Sequence, residues 1–224
     1  MTDNPFEGFD SEDKAFIKHD YEELCWYRGK EKLDVNYFYV DPQTMLMGWG
    51  AYSQGLKQYS WIWQKDLFTP IAKPETLNGY SEYAKAFSVW VLPKYVNDKQ
   101  NITQSVSLWQ RSSVGEFKGF LEMGACLYDK LQEPENKDKL PVVKWTGSET
   151  VTMGMGKSSI PHFELAGFKD RPSEFVIPSI GYDTSPSDNQ NGESQHDNFL
   201  PTSDGDTKES HPVLDTLDSG DIPF

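Results

Sequence analysis

Between residues 49 and 111, large aromatic side chains interleave with cations. Trp49, Tyr59, Trp61, Trp63, Trp90 and Trp109 stand near Lys57, Lys65, Lys85, Lys94 and Arg111. An unpaired base has a flat face on which a ring can stack, worth about 1–3 kcal/mol per base, while lysines track the phosphates. These are the residue types an extended single strand requires. Strand alternation sharpens the expectation: Tyr59, Trp61 and Trp63 share one face and form one platform. Trp90 points away from Phe87, Val89 and Val91, which makes it the expected outward ring. Aromatic rings also supply much of the burial in small β-proteins, so each of these rings has a core reading as well. If the binding reading holds, the five cations converge on one groove lined with exposed rings; scattered cations would favour a protein that touches no DNA.

Catalytic patterns are fragmentary. Residues 153–159 (Met-Gly-Met-Gly-Lys-Ser-Ser) share a glycine followed by Lys-Ser with a phosphate-cradling loop, but the required first glycine is replaced by Val151. A glycine-containing turn between strands is the plain reading. His162-Phe163-Glu164 matches half of a zinc deaminase signature, yet both cysteines, Cys25 and Cys126, lie upstream of it. Glu135-Asn136-Lys137 has the carboxylate and lysine of a nuclease without the partner acid on a preceding strand. No Gly-x-Ser-x-Gly elbow occurs and no nucleophile, base and orienter set assembles, so the sequence predicts no enzyme, no cofactor and no metal.

Charge is partitioned along the 224 residues. The formal charge is −14, with 35 acids against 21 bases. Residues 181–224 hold ten acids and one base, and residues 1–23 hold eight acids and two bases, which leaves residues 24–180 near neutral. Such a chain does not coat polyanions or membrane surfaces through its average field, so any nucleic-acid site is local and the 20 bases before residue 181 must be unevenly placed. No run approaches the length of a membrane span and no basic-then-apolar leader opens the chain. The expectation is a soluble cytoplasmic protein without membrane contact, in the host cytoplasm if phage-encoded, with both cysteines reduced. Homo-oligomerisation is left open.

The elements that position the rings are mostly strands. Residues 33–40 and 45–52 are aromatic and apolar runs separated by a tight turn at Asp41-Pro42. Residues 59–63, 86–92, 102–109, 140–145, 150–155 and 159–165 continue the strand character. From residue 115 to 131 the apolar positions fall three and four apart, the stripe of a helix with one buried face. Strands, one helix, then more strands gives a mainly β fold, an OB-fold-like Greek-key barrel with one helix; a β-sandwich with an inserted helix is the competitor. Three parts result: an acidic N-terminal segment (1–23), the core (24–180) and an acidic tail (181–224). The tail has no Trp and too few apolar groups to offset about 1–2 kcal/mol of ordering cost per residue, so it reads as disordered.

The tail nevertheless ends in an apolar tip: Asp218, Asp221, Ile222, Pro223 and Phe224, whose terminal carboxylate suits a small pocket with a basic mouth. This tip resembles the carboxy-terminal peptide of bacterial single-stranded-DNA-binding proteins, matched by Asp221, Ile222, Pro223 and Phe224. Just upstream, Ser219 and Gly220 stand where that family has aspartates. The body is more similar to divergent phage members, which pair an OB core with an acidic tail ending in Phe. The resemblance implies sequence-independent binding of single-stranded DNA in replication, recombination and repair, with a tail that recruits partner proteins and competes with DNA. The rival expectation is an acidic DNA mimic or adaptor that occupies host repair proteins without binding DNA.

Overall fold

A computed structural model describes residues 16–95, 105–153 and 156–178. Among these the fold is mainly β with one α-helix. The strands are β1 (Phe16–Asp20), β2 (Cys25–Arg28), β3 (Glu31–Leu33), β4 (Val35–Val40), β5 (Leu46–Ser53), β6 (Gln58–Trp63), β7 (Ala84–Tyr95), β8 (Ser107–Arg111), β9 (Lys139–Met153) and β10 (Gly156–Asp170), with α1 (Val114–Leu131) between β8 and β9.

One mixed sheet joins all ten strands in the order β10-β9-β4-β7-β8-β1-β2-β3, with β5 and β6 branching from β7. Only β1 and β8 run parallel. Strand β7 organises the rest. Its C-terminal half pairs with β4 and its N-terminal half with β5, while β8 takes the other edge. The turn at residues 41–45 is therefore not a hairpin between β4 and β5 but a break in one line of chain along β7. Asp41 N–H donates to the Trp90 carbonyl and Trp90 N–H donates to Thr44 Oγ1, both at 3.0 Å, so the break stays tied to the strand it follows.

Alternation along β7 divides the interior. Phe87, Val89 and Val91 face the main core with Ile17, Trp26, Phe38, Val40, Trp109 and Val143, covered by Phe120, Met123 and Leu127 of α1. Ser113 caps the helix, its Oγ accepting from Glu116 N–H. The helix lies close on β10 because Gly115 and Gly119 have no side chains: a Cβ at 119 would strike the carbonyl and ring of Pro161, and one at 115 the backbone of Ser159. The opposite face of β7 holds a second cluster in which Trp90 and Leu92 meet Leu108, Val106, Leu140 and Phe175.

The ladders among the described residues do not close into a ring. The ends of the sheet meet through side chains instead, Trp26 of β2 lying 6.1 Å from Phe163 of β10 and 6.4 Å from Trp145 of β9 between ring centroids. The mainly β class and the helix near residues 115–131 are as the sequence implied. Strands expected at 140–145 and 150–155 are one continuous 15-residue strand, paired with β10 in a long hairpin that carries two register shifts.

One boundary changes. Residues 16–20, assigned to the acidic N-terminal segment, form β1 inside the sheet with Ile17 and His19 buried. The flanking acids masked a five-residue strand whose inward positions are apolar or neutral. The expected tail, 181–224, and its tip residues Asp218, Asp221, Ile222, Pro223 and Phe224 lie outside the described residues, as do residues 96–104, which include the start of the strand expected at 102–109. No described helix is long and apolar enough to cross a membrane. Both cysteines are free thiols.

The two kinds of glycine on α1 separate packing from propensity. Gly119→Val should destabilise the protein by about 1–3 kcal/mol, since the added methyls meet backbone that cannot yield. Gly124→Ala, where a Cβ meets nothing within 4 Å, should stabilise it by up to about 1 kcal/mol. Urea unfolding midpoints with unchanged slopes are the measurement for both.

Candidate nucleic-acid interface

The β5–β6 hairpin carries the site that the residue types suggested. Its register sets Tyr59 opposite Tyr52, Trp61 opposite Gly50 and Trp63 opposite Gly48, with Ala84 and Ala86 of β7 beyond the two glycines. All these positions share the face opposite Phe87 and Val89, so the rings stand on the outer side of the sheet. The Trp61 ring covers Gly50, where any Cβ would overlap it. Glycine is needed there for close approach, not for backbone freedom. A four-residue loop closes the hairpin, with Lys57 in left-handed backbone at φ 53° and Ser53 Oγ accepting from Leu56 N–H.

On this floor the rings form a column. Tyr59 stacks on Trp61 at 4.6 Å and 12°, and Trp61 on Trp63 at 5.5 Å and 10°. Tyr52 leans on Tyr59 at 4.9 Å and 49°. Exposure falls along the column, from 45% at Tyr59 and 37% at Tyr52 to 4% at Trp63. Because each inner ring face is taken by its neighbour, a flat ligand meets the open end at Tyr59 and Tyr52 and the ring edges along the column. Lys57 stands beyond the open end and Lys65 beyond the buried one, both exposed.

Five of the eleven expected residues are thus assembled: Lys57, Tyr59, Trp61, Trp63 and Lys65. The others are dispersed. Trp49 points to the other face, where its Nε1–H donates to the Ile71 carbonyl at 3.1 Å, and Lys85 pairs directly across from it. Trp90 does point away from Phe87, Val89 and Val91, but the segment after β10 covers it and it is 8% exposed; alternation held and solvent exposure did not. Trp109 is a core residue, 1% exposed, its indole N–H donating to Glu116 Oε2 at 2.8 Å. Arg111 lies 3.5 Å from Glu116, and Lys94 lies 3.8 Å from Glu174 and 5.4 Å over the Tyr39 ring. The cations do not converge on one groove, because Lys94 and Arg111 neutralise carboxylates of the fold and Lys85 belongs to the wrong face. Tyr52 was missed; only the hairpin register reveals it as the partner of Tyr59.

The fragments that resembled catalytic motifs have structural roles. Residues 153 and 156 form the last pair of the β9–β10 ladder, and Ser158 Oγ accepts from Gly115 N–H at the start of α1. His162 reaches Glu122 at 3.0 Å and Glu149 at 3.8 Å on the surface. Asn136 donates to the Lys130 carbonyl at the end of α1.

Deeper inside, His19 joins three strands. Its Nδ1 is 2.7 Å from Ser159 Oγ and its Nε2 is 2.8 Å from Ser148 Oγ. Its backbone N–H donates to Glu116, whose carboxylate also accepts from Trp109 and Ser113. Burial pushes the Glu116 pKa up, against the nearby Arg111 guanidinium and these donors. Burial lowers the His19 pKa from the ordinary 6.5 to about 4, with Asp20 opposing.

No protein-family model, curated protein or solved structure matches this chain.

The His19 ring gives a pH prediction with a definite sign. Between pH 6.5 and about 4 the unfolded chain binds a proton at His19 that the native state refuses, so stability falls as pH falls through this window. The loss reaches about 3 kcal/mol at its acid end. Urea unfolding across the window should show this slope in the natural protein and a flatter one in His19→Gln; equal slopes would deny the buried neutral imidazole.

Proposed function

We propose that this chain binds single-stranded DNA without sequence preference, in replication, recombination or repair, and that its acidic C-terminal segment recruits partner proteins through Asp221, Ile222, Pro223 and Phe224. The observation that carries the first half is the column of Tyr59, Trp61 and Trp63, open at the Tyr52 end and fixed on a floor of glycine. A column that ends in an exposed ring accepts one more flat π-face, and the faces of all four bases fit it equally. This is the chemistry of sequence-tolerant stacking. Support for the second half is the tip itself, where two apolar groups and a carboxylate follow acidic residues.

The dispersal of Lys85, Lys94 and Arg111 favours a second reading, the acidic adaptor or DNA mimic, since that reading needs no basic groove. Salt dependence and fluorescence separate the two. Binding through the column neutralises few phosphates, and Lys57 and Lys65 together give a shallow slope of about −1 to −2 in log affinity against log salt.

Titration of the full chain with oligo-dT should quench tryptophan emission and show that slope. Tyr59→Ala should weaken binding by about 1–3 kcal/mol, and Lys130→Ala, paired with Glu133 at the far end of α1, should not. Removal of residues 215–224 should tighten binding. An oligonucleotide that runs freely in a mobility-shift gel at low ionic strength, with or without those residues, would eliminate the DNA-binding reading and leave the adaptor.

A further inference from the structure

Helix α1 is apolar over a wider arc than its core contacts require. Phe120, Met123 and Leu127 are buried, yet Val114, Leu121 and Tyr128 are 46%, 43% and 51% exposed. Phe117, Gly124 and Leu131 lie half-buried beside them. Positions 114, 117, 121, 124, 128 and 131 are spaced alternately by three and four, the seam by which one helix pairs with another. Phe68, 68% exposed, stands edge-on to Tyr128 at 6.2 Å and extends the stripe. Its loop is tied down: the Asp66 carboxylate accepts from the N–H groups of Phe68 and Thr69 and from the Thr69 hydroxyl. The exposed apolar area is on the order of a few hundred Å2, the size at which such patches mark a contact surface.

We infer that this face pairs with the same face of a second copy, the two α1 helices antiparallel about a two-fold axis. The occupant follows from self-complementarity. With the axis between residues 121 and 124, Leu121 meets Gly124 of the second copy, Phe117 meets Tyr128 and Val114 meets Leu131. Large opposes small and ring opposes ring. The slot at Gly124 is open, since a Cβ there would have no neighbour within 4 Å. Charge agrees with shape: antiparallel pairing sets Lys118 near Asp129 of the second copy, twice over. Within one copy these two are about 16 Å apart along the helix and form no ion pair among the described residues. A parallel pairing would oppose Lys118 to Lys118 and glycine to glycine. The chain's own C-terminal segment is a poorer occupant, because its ten acids and one base would meet Glu122 and Asp129, and of the two helix lysines Lys130 is already paired with Glu133, which leaves Lys118. This interface does not rest on the DNA-binding reading.

Sedimentation velocity of the full chain from about 1 µM to about 1 mM tests the interface. A reversible dimer is expected, and Leu121→Asp, at an exposed position, should raise its dissociation constant at least about tenfold. Lys118→Glu and Asp129→Lys should each weaken it severalfold, while the doubly exchanged chain should return close to the natural value; circular dichroism checks that each variant folds. A monomer throughout the range overturns the inference, as does a dimer indifferent to Leu121→Asp or a double exchange no better than the single ones. A monomer in which Leu121→Asp shifts the amide resonances of residues 179–224 overturns it in favour of the C-terminal segment.

Discussion

The fold depends on the closure of a sheet whose ends share no ladder. Trp26 supplies it. From β2 its ring packs on Phe38 of β4 at 5.0 Å, Trp109 of β8 at 5.2 Å and Phe163 of β10 at 6.1 Å, so strands from both ends of the sheet order meet on one side chain. Its indole N–H is buried with no hydrogen-bond partner among the described residues, a cost of about 1–3 kcal/mol. Aromatic pairs contribute about 0.5–1.5 kcal/mol each beyond their buried area, and Trp26 makes several, so the cluster outweighs the orphaned donor. His19 adds a polar stitch beside it, reaching a serine from each strand of the long β9–β10 hairpin.

Closure by side chains decides where a binding surface is available. The inner face of the sheet is filled by the Trp26 cluster and α1, and the central part of the outer face is filled by Trp90, Leu92 and Phe175. The β5–β6 branch reaches the main core only through Met47 on its inner face. Its outer face retains rings that answer to each other instead of to a core, which is why the tryptophans sort as they do. Trp26 and Trp109 hold the sheet together, Trp90 anchors the returning segment, and Trp61 and Trp63 form the column. Among the described residues strand β6 pairs only with β5, so the column also lies at an edge of the described sheet.

Periodicity was legible in the sequence and partnership was not. The three-and-four spacing located α1 to within a residue, and two-residue alternation put Tyr59, Trp61 and Trp63 on one face and Trp90 on the other side from Val89. What alternation cannot report is the cover over a face. Trp90 faces outward from the main core and is buried all the same, because the chain returns over it some eighty residues later. Arg111 and Lys94 lie near rings in sequence, yet each is drawn to a carboxylate supplied from elsewhere, Glu116 and Glu174. Strand β1 went unseen because its inward residues, Ile17 and His19, are separated by Lys18 and bordered by acids. A two-residue inward pattern is too short to stand out from a charged background.

The near-neutral body bears on how a polyanion would be held. Lys32, Lys73, Lys94, Arg111 and Lys130 are paired with carboxylates of the same chain, so their fields cancel within a few ångströms. At long range a chain of −14 repels a polyanion, and at physiological ionic strength charge effects fade beyond about 8 Å. A ring column works inside that distance and is indifferent to net charge, since stacking arises from dispersion and desolvation of flat faces. Its strength depends on the rings being held in place before a ligand arrives. Gly50 beneath the Trp61 ring, the Ser53 contact that closes the hairpin and the buried Trp63 at the foot of the column provide that fixity, and the open Tyr59 and Tyr52 end is where it becomes available to a partner.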